Sequence, residues 1–111
     1  MVNEETQTIK YKQIWKQDCL RVIAAFANSV GGTLIIGLDD QGNFSTLNDT
    51  PKLLNDIPNT IRNKLGIIPS VELDRNETIK IKIKPSSVPI SFNGKYFLRS
   101  GSTVQELQSQ E

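Results

Sequence analysis

The amino-acid sequence predicts a single α+β domain, with a mixed, mainly antiparallel sheet of about five to six strands packed against two helices. Two stretches of helical spacing flank a run of β-branched residues, and the second half of the chain carries short alternating runs. An Asn-Gly pair at 93–94 separates two of these runs, which is a strong hairpin signal. The 111 residues fit one domain, so we expect 1–111 to fold as a unit.

The N-terminal part predicts a strand, a long helix and a central strand. Thr8–Lys12 alternates between polar and apolar side chains, as a half-buried strand does. From about Ile14 to Val30 apolar residues recur at helical spacing, and Gly31-Gly32 ends this helix because glycine tolerates the left-handed conformation. Thr33–Leu38 is a continuous apolar run, which is typical of a strand covered on both faces.

The remaining chain predicts a second helix followed by β structure. Turn-forming residues occupy 39–43, and Phe44 begins a short return strand. The second helix runs from about Pro51 to Leu65, with a kink at Pro58. The later strands are predicted at Val71–Asp74, Thr78–Lys84, Val88–Phe92 and Lys95–Arg99. Ser102–Gln105 has the pattern of a capping box, so we expect a helix to begin there and to continue in a longer protein.

Composition narrows the function classes. Thirteen basic and 12 acidic residues give a net charge of +1, so any basic site must be local. Histidine is absent, which removes the commonest general base near neutral pH and the commonest nitrogen ligand for zinc. We expect no metal, no cofactor and no catalysis by this domain alone. The single cysteine, Cys19, belongs to an apolar helical stretch and is expected in the core of a cytoplasmic protein without a membrane segment.

The stretch Thr78–Lys84 alternates strictly, so that isoleucines share one face and Lys80, Lys82 and Lys84 share the other. Lysines in such a row can follow a nucleic-acid backbone and give affinity that depends on salt and not on base sequence. A solvated strand face, protected from aggregation by its charges, explains the same pattern equally well. This row is the main candidate for a polyanion contact.

Residues near the C-terminus offer a second candidate contact. Lys95 and Arg99 extend the lysine row if their side chains emerge on its face. Ser102, at the predicted helix start, is placed where a helix N-terminus offers free N–H groups to a phosphate. Ordinary helix capping explains Ser102 without any ligand.

The segment from Ala24 to Gly42 resembles the signature of the Schlafen-type AlbA-like domain. The matching features are the Phe-Ala-Asn element at 26–28, Gly31-Gly32, the apolar strand, and Gly37-Leu38 followed by acidic turn residues. The resemblance extends to Lys10-Tyr11-Lys12 and to the segment 96–103, so it covers nearly the whole chain. It implies the N-terminal, DNA-binding module of a longer transcription regulator.

In some Schlafen proteins, two glutamates and an aspartate form a metal-dependent ribonuclease site. The resemblance puts Glu5, Lys10 and Asp39 at these positions. A lysine in place of a carboxylate repels the metal, so the site is expected to be degenerate. Asp39-Asp40 is better explained as a turn stabilised by aspartate side chains.

We therefore expect a non-catalytic module that binds nucleic acid, DNA in preference to RNA. Two alternatives remain open from the sequence. One is a structural or oligomerisation module that forms a homodimer through strand edges or Trp15. The other is a ribonuclease that retains activity despite its degenerate carboxylate set.

Overall fold

The computed structural model describes residues 5–107. Seven strands and two helices follow one another in this part of the chain. Their bounds are β1 Ile9–Lys12, α1 Asp18–Ala27, β2 Gly32–Ile36, α2 Thr50–Leu65, β3 Ser70–Leu73, β4 Ile79–Ile83, β5 Ser91–Phe92, β6 Lys95–Ser100 and β7 Thr103–Glu106. The α+β class, the two helices and the mainly antiparallel pairing are confirmed.

The strands form two sheets where the sequence predicts one. A four-stranded sheet has the order β1-β2-β4-β3, and a three-stranded sheet has the order β5-β6-β7. The β1–β2 pair is parallel, and the other pairs are antiparallel. Parallel pairing of β1 with β2 requires a crossover, and α1 provides it.

Helix α1 lies between the two sheets and is the centre of the core. It contacts β2 and β4 of the larger sheet and β5, β6 and β7 of the smaller one. Eight of its ten residues are buried, which explains why nearly every side of the helix carries apolar side chains. The helix begins at Asp18, later than the predicted Ile14. Trp15 lies before it and packs against the core, half-buried.

The predicted end of α1 at Val30 is three residues too late, because the helix ends at Ala27 and Gly32 already begins β2. Gly31-Gly32 forms the turn into β2, where close packing as well as backbone conformation requires glycine. Gly31 has φ +82°, and a Cβ there would lie 2.6 Å from the carbonyl oxygen of Ile83. A Cβ on Gly32 would lie 2.5 Å from the ring of Phe26. Both positions therefore exclude a side chain.

Helix α2 runs through Pro58 and packs an apolar stripe on the core. Ile57, Ile61 and Leu65 form this stripe. Asp49 precedes the helix, and its carboxylate accepts a hydrogen bond from the N–H of Lys52 at 3.3 Å. The predicted helix is confirmed with its bounds shifted by a single residue at the N-terminus.

The predicted hairpin at Asn93-Gly94 is confirmed. Both residues have positive φ, as a two-residue hairpin turn requires, and the turn joins β5 to β6. The predicted return strand at Phe44 is reduced to a single bridge with Leu38. The predicted helix start at Ser102 is wrong, because 103–106 forms β7 and pairs with β6. The helix's predicted continuation beyond 107 lies outside the described residues.

Candidate functional site

Strand β4 holds its lysines on the face that points away from the helices. Ile79, Ile81 and Ile83 are buried in the core, with exposures between 0 and 5%. Because side chains alternate along a strand, Lys80 and Lys82 project from the opposite, open face of the four-stranded sheet. Lys84 follows β4 and is exposed. We call Lys80, Lys82 and Lys84 the lysine strip.

Two lysines of the strip contact carboxylates of the neighbouring strand or its end. The Lys80 Nζ lies 3.7 Å from a carboxylate oxygen of Asp74, and the Lys82 Nζ lies 3.3 Å from one of Glu72. Lys84 makes no ion pair with any residue between 5 and 107. The strip is thus partly neutralised within the molecule, and its excess positive charge lies at the Lys84 end.

Lys95 and Arg99 do not continue the strip. Both belong to β6, in the three-stranded sheet. Lys95 lies 3.9 Å from a Glu106 carboxylate oxygen. Arg99 is only 4% exposed, so its guanidinium cannot serve as a surface contact.

Arg99 instead binds the N-terminal segment. Its Nη2 donates to the carbonyl oxygens of Thr6 and Ile9 at 2.8 and 3.2 Å, and its Nε donates to that of Gln7 at 3.2 Å. The guanidinium carbon lies 5.2 Å from the ring centroid of Phe26. Burial lowers the pKa of Arg99, against a smaller opposing effect of Glu5. These contacts make Arg99 a structural residue that fixes the start of β1.

The proposed anion contact at Ser102 loses its structural basis. Ser102 lies in the exposed turn between β6 and β7, where Ser100 pairs with Thr103. The Thr103 hydroxyl donates to the Ser100 carbonyl oxygen at 2.8 Å. Without a helix, this turn has no helix dipole and no row of free N–H groups to attract a phosphate.

The nuclease-like positions are engaged in other contacts. The Lys10 Nζ lies 3.1 Å from a carboxylate oxygen of Glu5, which also accepts from the N–H of Tyr11 at 3.0 Å. One oxygen of Asp39 accepts from the N–H groups of Gln41 and Asn43, each at 2.9 Å, as in a turn. Among the described residues, no group of three His, Cys, Asp or Glu side chains is placed to hold a metal ion.

Asn28 links the end of helix α1 to the smaller sheet, a role that the sequence did not predict. Its Nδ2 donates to the carbonyl oxygens of Ile90 and Phe97 at 2.8 and 2.9 Å, and its Oδ1 accepts from the N–H of Ile90 at 2.7 Å. The amide therefore ties the end of α1 to β6 and to the segment before β5. The signal in the sequence was an amide side chain directly after the apolar run 22–27.

A second missed feature is a cleft of about 440 Å³ at the edge of the larger sheet where β2 ends and β4 begins. The loop after β2 and the β3–β4 turn line it. Phe44 and Arg75 are exposed there, and Gly37 forms part of the floor. We call this cavity the Phe44 cleft.

Comparison with known proteins agrees with this architecture. The family model described as "Schlafen, AlbA_2" matches residues 5–108. The chain belongs to this family. No curated protein matches the chain. In the described part of this Schlafen AlbA_2 domain, no helix is long and apolar enough to cross a membrane.

A solved structure supports the fold of this Schlafen AlbA_2 domain. The crystal structure of the DIP2311 protein from Corynebacterium diphtheriae is similar to it with a TM-score of 0.74 and 17% sequence identity. The match covers 91% of this chain and 22% of the DIP2311 chain. At this identity, the similarity concerns the fold alone.

Proposed function

We propose that this domain binds nucleic acid, preferentially DNA, through the open face of its four-stranded sheet, as a non-catalytic module of a longer transcription regulator. The observation that carries the proposal is the lysine strip on β4, opposite a buried isoleucine face. Membership of the Schlafen AlbA_2 family supports the same partner. In the DIP2311 structure, the same fold makes up only part of a longer chain, since the match covers 22% of it.

The carboxylates beside the strip weaken the contact but do not prevent it. Lys82 and Glu72 are 57% and 54% exposed, so their ion pair is well solvated. Exposed ion pairs contribute about 0–1 kcal/mol, so a phosphate can replace the carboxylate at small cost. Lys84 has no carboxylate partner within residues 5–107 to displace, and it offers the first contact.

The spacing of the strip suits a phosphate backbone. Lysines two residues apart on a strand lie about 6.6–6.8 Å from one another, so the strip spans roughly 13 Å. Each phosphate that a lysine neutralises releases counterions, which makes affinity fall as salt rises. Binding through the strip therefore predicts a salt dependence that reflects about three contacts.

The test is a triple variant, Lys80→Gln with Lys82→Gln and Lys84→Gln, titrated by fluorescence anisotropy at several salt concentrations. We expect lower affinity for unrelated sequences and a flatter salt dependence. A matched variant with Lys16→Gln, Lys52→Gln and Lys64→Gln carries the same change in net charge. Equal weakening by both variants, or no weakening by the strip variant, overturns the strip as the binding surface.

The proposed absence of catalysis rests on the nuclease-like positions. Lys10 occupies the place of a metal-binding carboxylate and pairs with Glu5, while Asp39 holds its own turn. Manganese- or magnesium-dependent RNA cleavage that is lost in Glu5→Ala or Asp39→Ala would contradict this part of the proposal. Such cleavage would show that Glu5 and Asp39 support metal-dependent catalysis without a third carboxylate.

An oligomerisation module is the second candidate function. Val88, Tyr96 and Leu107 are 60%, 43% and 52% exposed and line one shallow cleft of about 310 Å³. Apolar contact between two copies persists at high salt, whereas phosphate contact does not. Sedimentation in low and high salt, with and without an oligonucleotide, separates the two functions.

A further inference from the structure

The Phe44 cleft combines an aromatic ring with a cation. Phe44 is 68% exposed, although its backbone is fixed by the bridge with Leu38. Arg75 lines the same cleft and forms no ion pair within residues 5–107. Ser45 and Thr46 add hydroxyl groups to the lining. An exposed ring and a guanidinium that line the same cleft suit a base and its phosphate.

The cleft adjoins the lysine strip. Gly37 follows β2, and a Cβ built on it would lie 3.4 Å from the Thr78 side chain. Thr78 is itself only 4% exposed and immediately precedes β4. The cleft-lining residue Glu77 lies one position before it and three positions before Lys80, so the cleft is next to the Lys80 end of the strip. A strand of nucleic acid that follows the strip therefore arrives at the Phe44 cleft.

We infer that the Phe44 cleft holds one unpaired nucleobase, stacked on Phe44, with its phosphate near Arg75. This inference rests on the proposed function and specifies which form of nucleic acid the domain binds. In a duplex the bases are stacked and paired, so their faces are closed to the ring, whereas a single strand presents them. The domain should therefore bind single strands more tightly than duplexes of the same sequence.

Glu77 restricts how a nucleotide enters the cleft. Glu77 also lines the cleft, and its negative charge disfavours a phosphate placed beside it. The phosphate is thereby directed toward Arg75, the cation that lines the cleft. A carboxylate can accept a hydrogen bond from an exocyclic amino group, so cytosine, adenine and guanine suit this position better than thymine or uracil.

The experiment compares single strands and duplexes across Phe44 variants. The probes are single-stranded DNA and RNA of roughly ten nucleotides, within the about 4–16 that such surfaces occupy, and the matching DNA duplex. We expect Phe44→Ala and Phe44→Leu to weaken single-strand binding about fivefold to about a hundredfold and to leave duplex binding unchanged. Phe44→Tyr keeps a stacking ring and should retain the affinity.

Matched controls separate aromatic stacking from general apolar contact. Ile68→Ala removes another exposed apolar side chain, 87% exposed, and should change nothing. Equal single-strand affinity in Phe44→Leu and the unmodified protein overturns the inference, because leucine cannot stack as an aromatic ring does. So does equal affinity for single strand and duplex in the unmodified protein. The DNA and RNA arms identify which strand is preferred.

The two proposals fail in different ways. If the strip variant loses salt-dependent binding while Phe44→Ala binds normally, the lysine contact stands and the base site is wrong. If Phe44→Ala weakens single-strand binding while the strip variant binds normally, the base site stands without the strip. If the unmodified domain binds none of the probes, the proposed function itself is wrong, and Phe44 belongs to a protein contact.

Discussion

At the scale of single residues, burial separates two arginines that look equivalent in the sequence. Arg21 and Arg99 each lie over a phenylalanine ring, at 6.0 Å from Phe97 and 5.2 Å from Phe26. Arg21 is exposed, whereas Arg99 is 4% exposed and donates to three backbone carbonyls. The planar guanidinium of Arg99 donates these hydrogen bonds simultaneously, and the single ammonium group of a lysine cannot reproduce this geometry.

Arg99→Lys should therefore lower the free energy of unfolding by about 2–4 kcal/mol, because three backbone carbonyls lose a charged donor while the positive charge remains buried. Urea unfolding followed by circular dichroism measures this change. Arg21→Lys is the matched control and should stay within about 0.5 kcal/mol of the unmodified protein. Similar losses in both variants would mean that Arg99 contributes no more than a surface cation.

The sequence identified the face of Lys80 but not that of Arg99, and the reason is physical. In β4 every second residue is isoleucine, so the buried face is unambiguous. In β6 the order Tyr96-Phe97-Leu98 places apolar side chains on both faces, and Arg99 falls on the same side as the buried Phe97. Alternation alone cannot assign a face when both neighbours are apolar. The sequence also could not show which carboxylates pair with Lys80 and Lys82, because the register of β3 against β4 is a tertiary property.

At the scale of elements, the two helices and the principal strands followed from periodicity, whereas the C-terminal element did not. Ser102–Gln105 fits a helix N-terminus locally, yet Thr103–Glu106 pairs with β6. A strand that gains a full ladder of backbone hydrogen bonds outweighs a capping preference of about 1 kcal/mol. The Gln105 side chain contacts the Thr103 hydroxyl at 3.2 Å, which is a local contact within the strand.

Two glycines allow backbone strain and steric exclusion to be measured separately. Gly31 and Gly66 have similar φ, +82° and +73°, but only Gly31 is enclosed by other atoms. Gly66→Ala should cost about 1 kcal/mol, the usual cost of the left-handed conformation. Gly31→Ala should cost at least about 2 kcal/mol more, since its Cβ would lie 2.6 Å from the Ile83 oxygen.

Urea midpoints and slopes of the two glycine variants provide the measurement. Equal destabilisation would mean that the chain around Gly31 moves aside without cost. That result would also remove the packing explanation for the double glycine, leaving only its backbone conformation.

At the scale of the whole molecule, α1 joins both sheets into one core. Its residues contact strands of each sheet, and Asn28 at its end adds hydrogen bonds to Ile90 and Phe97. Neither sheet can separate from the other without exposing this helix. We therefore expect the domain to unfold in a single cooperative step.

Cys19 provides a direct test of that cooperativity. The side chain is fully buried in α1, and burial raises the pKa of its thiol, so a labelling reagent reaches a thiolate only after the core opens. Labelling by a disulfide reagent in native buffer should be slower than in urea by at least about a thousandfold. Its rate should follow the global unfolding constant measured by circular dichroism. Fast native labelling would indicate that α1 opens locally.

The same thiol gives a pH dependence with a defined sign. Because the folded pKa lies above the ordinary value of 9.0, the unfolded chain releases this proton first as pH rises. The unfolded state then binds fewer protons than the folded state, so this group's contribution to stability is intact below pH 9.0 and declines above it. Cys19→Ala removes the titrating group, so its free energy of unfolding should fall less steeply above pH 9.0. The packing lost in this variant lowers stability at every pH and does not change this slope. If the free energy of unfolding falls equally steeply above pH 9.0 in Cys19→Ala and in the unmodified protein, groups other than Cys19 cause the alkaline decline.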